Sequence, residues 1–202
     1  MEADESTRQR LLEAGMHQFA TQGYRATSVG SIEAAVGLQP RRGALYKHFP
    51  SKDALLTAAV RELIDRTASG STRITEVDAP AASDEASMES VILRLGHWFL
   101  DQMDQMKDLT QLIEHDGQRI PEITGEVKRD IVDLSYRTAA SVVTAAAPHI
   151  ADPEATAVLI LGTLVAIRRT DWTFGSPPLD IDDDRILAAW TQHTLSLISP
   201  DN

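Results

Sequence analysis

Arg41, Arg42, Tyr46 and Lys47 fall within one seven-residue stretch, and together they present long hydrogen-bond donors of the kind that read nucleic acid. A guanidinium offers a planar fork that matches guanine O6 and N7, while an ammonium or phenol suits a phosphate oxygen. Gly43 and Ala44, between the two pairs, are small enough to let a backbone approach base edges closely. Paired arginines also occur in solvated charged turns, but their place at the start of a short predicted helix favours a major groove about 12 Å wide. Two other clusters have chemical potential, His115-Asp116 and Asp182-Asp183-Asp184. Adjacent residues on a helix point apart, and an aspartate run suits a helix N-terminus through its dipole better than it suits a metal. The sequence contains no Gly-x-x-x-x-Gly-Lys loop, no Gly-x-Ser-x-Gly elbow, no His-Glu-x-x-His and no cysteine. Neither an enzyme nor a cofactor-dependent protein is therefore expected.

The elements that must hold the donors can be read on either side. Thr27 is a predicted cap for a helix with Val29, Ile32 and Ala35/Val36 on its apolar face, and Gly37 is suited to stop it in the left-handed conformation. A turn through Leu38 and Gln39 follows, and Pro40 fits the first position of a second helix of about two turns running to Lys47. Pro50 ends it, and Ser51 caps a third helix through Ala54, Leu55, Ala58, Leu63 and Ile64. Upstream, a helix from Thr7 places Leu12, Met16, Phe19 and Ala20 on one face and ends at Gly23. Its partners are Val29, Ile32, Leu45 and Phe49, which makes a three-helix head with a helix-turn-helix. Tyr24 and His48 read as packed members of that head, whereas Lys52 and the amide end after Thr27 are placed to hold phosphate.

Arg10 to Val29, RLLEAGMHQFATQGYRATSV, and Gly43 to Leu56, GALYKHFPSKDALL, together resemble the N-terminal domain of the TetR family of transcriptional regulators. The resemblance rests on Phe-Ala-x-x-Gly-Tyr, Thr-Ser-Val and Leu-Tyr-x-His-Phe followed by Ser-Lys. Between Gly37 and Tyr46 the chain has two residues more than the family's commoner Gly-Val-Ser-Lys-Gly-x-Leu-Tyr, the extra pair lying within Gln39 to Arg42. Position-by-position transfer is direct at Tyr46 and Lys47, which match backbone-contacting positions. The expected DNA-binding residues are Thr27, Gln39, Arg41 and Arg42, together with Gly43, Tyr46, Lys47 and Lys52.

With 202 residues and 43% hydrophobic content the chain suits one or two globular domains. Its net charge of −11 argues against a polyanionic partner until it is divided. Arg8 to Arg66 carries nine Lys/Arg against five Asp/Glu, while residues 67–202 carry ten against twenty-two. A weakly basic head on an acidic body can bind phosphate through the head alone. No basic segment followed by an apolar core opens the chain, and the longest apolar run, Ala157 to Ile167, falls short of the ~20 residues a bilayer needs. A cytoplasmic protein without a membrane partner is expected. Helical spacing recurs through residues 87–106, 107–117 and 121–147, with no alternating strand pattern. The expected class is all-α, with a DNA-binding head over 1–66, a connector over 67–86 and a larger ligand-binding and dimerisation body over 87–202.

The segment ATAVLILGTLVAI within the helix from Pro153 to about Phe174 is apolar all round, implying burial on more than one face. The next helix, Asp182 to Ile198, carries a stripe of Leu187, Trp190, Thr194 and Leu197. Two such helices can meet their copies as a four-helix interface in a homodimer. The TetR resemblance further implies a pocket in the body for a small-molecule effector. Trp98, Phe99, Met103 and Met106 are candidates, with Ile113, Tyr136 and Trp172, because aromatic and methionine side chains line adaptable cavities. His97, His115, Arg137 and Arg168 are polar candidates, and an arginine on a buried helix favours an acidic ligand. The functional expectation is a dimeric repressor released from a palindromic double-stranded DNA operator by that effector. The alternative is a helical ligand-carrying or protein-interaction module without specific DNA binding.

Overall fold

Gly23 breaks the first helix at a φ of 85°, and the two units of the protein are built from such stops and the apolar faces between them. The computed structural model describes residues 2–40, 42–75 and 85–199. Its α-helices are α1 (Glu2–Gln22), α2 (Val29–Ala35), α3 (Lys52–Thr75), α4 (Glu85–Gln105), α5 (Lys107–Asp116), α6 (Pro121–Val127), α7 (Leu134–Ala146), α8 (Pro153–Phe174) and α9 (Asp183–Ile198). Among the described residues there is no strand, so the protein is all-α, and no helix is long and apolar enough to cross a membrane.

One compact unit comprises residues 1–67 and 106–130. Leu11, Leu12, Phe19 and Ala20 of α1 are buried in it with Ile32 of α2 and Leu55, Leu56 and Val60 of α3. Each large side chain withdrawn from water in this way contributes about 1.5–3 kcal/mol. Gly15 lets α1 and α3 approach, since a Cβ there would collide with the Leu55 side chain. Residues 106–130, expected within the body, pack with these N-terminal helices through α1 and α5. The cap of α2 is Ser28 rather than Thr27. Ser28 Oγ accepts the Ser31 amide at 3.0 Å, and Ser31 Oγ accepts the Ser28 amide at 3.2 Å. Gly37, at φ 76°, follows its end. Ser51 Oγ accepts the Ala54 amide at 3.0 Å and so starts α3 as expected. That helix continues past Arg66 to Thr75, through residues expected to be connector, because small polar residues without proline do not break a helix already nucleated. Residues 76–84 of the expected connector lie outside the described residues.

The second unit comprises residues 68–105 and 131–202. Its core is built from Ile92 and Leu100 of α4, Val143 of α7, Ile160 and Leu164 of α8, and Leu187 and Trp190 of α9. Gly96 brings α4 against α9: a Cβ there would stand 2.7 Å from Leu187 Cδ2 and 2.9 Å from Trp190 Cζ3. Asp152 caps α8, Gly175 closes it at φ 78°, and Asp182 caps α9 by accepting the Arg185 amide at 2.9 Å. The aspartate run thus begins a helix.

One expectation about the helices is corrected. The continuous helix expected over 121–147 is interrupted by a π-helical turn at Lys128–Asp133, a local change of hydrogen-bond register that periodicity does not reveal. The apolar run of α8 turns Ala157, Ile160 and Leu164 to this unit's core and leaves Val158 and Leu159 exposed. The stripe of α9, by contrast, buries Leu187, Trp190 and Thr194 in this unit's own interior.

Candidate functional site

The segment expected to be a two-turn recognition helix is a single 3-10 turn, Leu45–Lys47. Gly43 has φ 71°, outside the right-handed helical region, so a helix beginning at Pro40 cannot run through it. The two additional residues before Tyr46 fall in this irregular stretch. From Gly43 onward the backbone closes tightly, Tyr46 donating to Gly43 O at 3.1 Å and Phe49 to Leu45 O at 2.9 Å. Leu45 and Phe49 are buried and fix the turn from beneath. Tyr46, 57% exposed, and Lys47 consequently point outward, and Gln39 and Arg42 are exposed as well. Gly43 is half-buried beside the Tyr46 ring, and Arg41 lies outside the described residues.

The hydrogen bonds that position this turn come from a residue not singled out in the sequence. Glu33 is completely buried on α2, and its carboxylate accepts the Leu45 amide at 2.9 Å. Its position next to Ile32 on the apolar face was the available signal. Gln18 of α1 is a second such residue, donating to Ser31 O at 3.2 Å and accepting from Ser31 Oγ at 2.8 Å.

Three residues near the expected phosphate contacts are engaged inside the head. Thr27 is buried, and its hydroxyl lies 3.0 Å from Gln18 O and 2.9 Å from Gly23 O. Its amide donates to Gly23 O at 3.2 Å. The Thr27 side chain is therefore a joint between α1 and α2 and not a surface ligand. Lys52 Nζ donates to Tyr24 O at 2.7 Å and Thr27 O at 3.0 Å and sits 4.2 Å from the Tyr24 ring centroid. Tyr24 packs on Phe19 and hydrogen-bonds Asp53, and burial followed by the Asp53 carboxylate raises its phenol above the ordinary tyrosine range. Its packed reading agrees with these contacts. The turn after α1 is also tied to the end of α5, since Asp116 accepts the Tyr24 amide at 2.8 Å and an Arg119 N–H at 2.6 Å. Those two hydrogen bonds, the backbone one foremost, hold the Asp116 carboxyl below its usual value.

The second unit contains an apolar cavity of about 150 Å³ among α4, α7, α8 and α9. Trp98 and Phe99 of α4 line it, with Leu95, Val142, Leu161 and Trp190. Met103 is buried in the same unit but not in this wall, and Tyr136 is half-buried away from it. Met106 and Ile113 belong to the unit that contains α1. Trp172 donates its indole N–H to Asp104 at 3.2 Å. Arg168 is buried but already meets Asp183 at 2.8 Å, Asp104 at 3.4 Å and Asp171 at 3.6 Å. Surrounded by three carboxylates and outside the cavity wall, it does not supply the cation expected to favour an acidic ligand. His97, His115 and Arg137 are exposed and likewise outside the wall. The contributions of α7 and α8 were not anticipated, because small residues such as Ala139 and Ala157 give no sequence cue for a cavity.

Residues 11–59 match the family described as bacterial regulatory proteins, tetR family. Over 66 residues the chain is 38% identical to an HTH-type transcriptional repressor of Mycobacterium tuberculosis, a stretch covering 33% of this chain and 34% of that protein. The match thus spans about a third of the curated relative. Among solved structures, a TetR-family regulator of Agrobacterium tumefaciens superposes with a TM-score of 0.67 at 16% identity, covering 97% of this chain and 99% of that one. The fatty acid degradation regulator FadR of Bacillus halodurans gives 0.64 at 17% identity, with 96% of each chain covered. At these identities the two structures establish a common fold.

Proposed function

The chain belongs, through its N-terminal region, to the tetR family of bacterial regulatory proteins, and from that premise we propose that it is a dimeric repressor released from DNA by a small molecule. The observation that carries this reading is the outward Tyr46-Lys47 pair on a turn anchored by Leu45 and Phe49, with Arg42 exposed beside it. Lys47 and Tyr46 hold phosphates, and Arg42 reads a base edge in the major groove. The name of the Mycobacterium tuberculosis relative supports repression over activation. One short turn contacts too few base pairs for useful specificity, so two heads on a roughly palindromic operator are required. Val158 and Leu159, exposed on α8, support a second copy of the chain as its partner. The protein acts in the cytoplasm, where the operator lies, and performs no catalysis.

Release requires an effector that binds the conformation of low operator affinity more tightly than the operator-bound one, since equal affinity shifts nothing. The cavity walled by Trp98 and Phe99 is the site for it. Titration of a fluorescent duplex spanning the promoter of the protein's own gene tests the DNA reading. Saturable binding that weakens with salt and is lost in an Arg42→Ala, Lys47→Ala double variant is expected. No binding at low salt, or binding indifferent to the double substitution, overturns it.

A further inference from the structure

The class of molecule that fits the cavity follows from what its wall lacks and from one hydroxyl it contains. Among the described residues, no Arg, Lys, His, Asp or Glu lines it. An ionised guest would exchange its hydration for hydrocarbon with no countercharge, an exchange that strongly disfavours binding. Among the described residues, the polar side chains in the wall are Ser135, Thr138, Thr194 and the indoles of Trp98 and Trp190. Three of them are already engaged: Ser135 Oγ donates to Ile131 O at 2.8 Å, Thr138 Oγ1 to Leu134 O at 2.9 Å and Trp190 Nε1 to Ile160 O at 2.9 Å. Thr194 differs. It is 6% exposed, and its Oγ1 is buried without a hydrogen-bond partner. The helix does not satisfy it, although Ser135, Thr138, Thr144 and Thr163 all bond back to the carbonyl four residues earlier. A buried hydroxyl left unpaired is unfavourable, and a guest against Thr194 that supplies it with a partner relieves that cost. A volume of about 150 Å³ is of the size at which apolar cavities take up benzene.

We propose that the cavity takes an uncharged, largely hydrocarbon molecule of the size of one substituted ring or a short alkyl chain, whose single hydroxyl or carbonyl pairs with Thr194. This deepens the effector reading above, because it assigns a chemical class to the occupant of that same cavity. It also separates the occupant from carboxylate-bearing acids, which the sequence alone suggested through Arg168.

Calorimetric titration of the full-length protein with 4-ethylphenol, ethylbenzene and benzoate tests it, with Trp98 and Trp190 fluorescence as a second readout. 4-Ethylphenol is expected to bind tightest, and benzoate, of similar size but ionised, at least tenfold more weakly. Thr194→Val preserves shape and removes the unpaired hydroxyl, so the variant folds. It should weaken 4-ethylphenol by roughly three- to tenfold, the worth of one hydrogen bond, and leave ethylbenzene unchanged. Benzoate binding as tightly as the phenol, 4-ethylphenol affinity unaltered in Thr194→Val, or no heat and no fluorescence change with any of the three overturns the proposal. None of these titrations contains DNA. Loss of operator binding would therefore sink the regulator reading while leaving this result standing, and the reverse holds equally.

Discussion

The carboxylate of Glu33, fully buried on α2, accepts the backbone amide of Leu45 at 2.9 Å, so the first helix of the motif directly holds the turn that carries Tyr46 and Lys47. Glu33→Ala leaves that amide unpaired in the interior, which costs about 1–3 kcal/mol. Urea denaturation should show this loss. Operator affinity should fall too, although Glu33 is too deeply buried to reach DNA. Glu33→Gln retains an acceptor and should lose less on both measures. Equal behaviour of the two variants would remove Glu33 from this role.

Exposed donors on the same turn should separate by kind of contact. Arg42→Ala should relax preference at one half-site position, a discrimination worth about 1–3 kcal/mol for a bidentate base contact. Lys47→Ala should weaken binding to all sequences alike and reduce the slope of log K against log salt by about one. Competition titrations with single-base operator variants at several salt concentrations distinguish the two. A uniform loss from both substitutions contradicts the assignment.

The head was legible in the sequence to the extent that local rules decide it. Gly23, Gly37 and Ser51 stop or start helices as their chemistry dictates, and Leu45 and Phe49 occupy buried positions that helical spacing gives them. What local rules do not give is contact at long range. Nothing near Thr27 in sequence announces that its hydroxyl is used by the Gln18 carbonyl of α1, or that Lys52 is engaged by Tyr24 and Thr27 carbonyls. The recognition segment departs from its expected helix because Pro40 favours a helix start, while the positive φ of Gly43 a few residues later is a property of the folded turn. For the cavity, aromatic residues identified the α4 wall. The exclusion of Arg168 depended on Asp104 of α4 and Asp183 of α9 joining its helix neighbour Asp171 around it, and those two long-range contacts are not encoded by periodicity.

Asp116 makes the first unit sensitive to acid. Its folded-state value is depressed, chiefly by the Tyr24 amide and next by Arg119, relative to an unfolded aspartate of about 3.9. The sign is that of a group binding fewer protons when folded. Its stabilisation is fully present above the unfolded value and is lost as pH falls through the folded one. Asp116→Asn should lower stability at neutral pH and flatten the decline below about pH 4, where the wild-type carboxylate takes up its proton. Denaturant midpoints between neutrality and strong acid give the comparison. Parallel curves for wild type and variant would show that Asp116 contributes nothing to the acid limb.

The exposed apolar residues of α8 give the proposed dimer an interface that can be tested. Leu159 is 69% exposed, so Leu159→Asp changes nothing in the interior of its own unit and should leave the thermal transition of the protomer intact. At a two-fold interface the substituted position contributes a carboxylate from each copy to a desolvated apolar surface, which is strongly unfavourable. Sedimentation velocity should shift from dimer toward protomer, and half-site cooperativity on the operator should disappear with it. A dimer unaffected by Leu159→Asp would place the interface elsewhere.

Thr191 supplies the opposite kind of substitution, one expected to stabilise. It is 2% exposed on α9, its Oγ1 has no hydrogen-bond partner, and unlike Thr194 it does not line the cavity. Valine has nearly the same shape, so Thr191→Val removes a desolvated hydroxyl without opening a void. The gain should be about 1 kcal/mol, the lower part of the range for a buried unpaired polar group. The denaturation midpoint should rise with an unchanged slope against denaturant, while affinity for 4-ethylphenol stays at its wild-type value. A fall in stability would mean that the hydroxyl is satisfied in solution. A change in phenol affinity would mean that the cavity reaches around α9 to the side that carries Thr191.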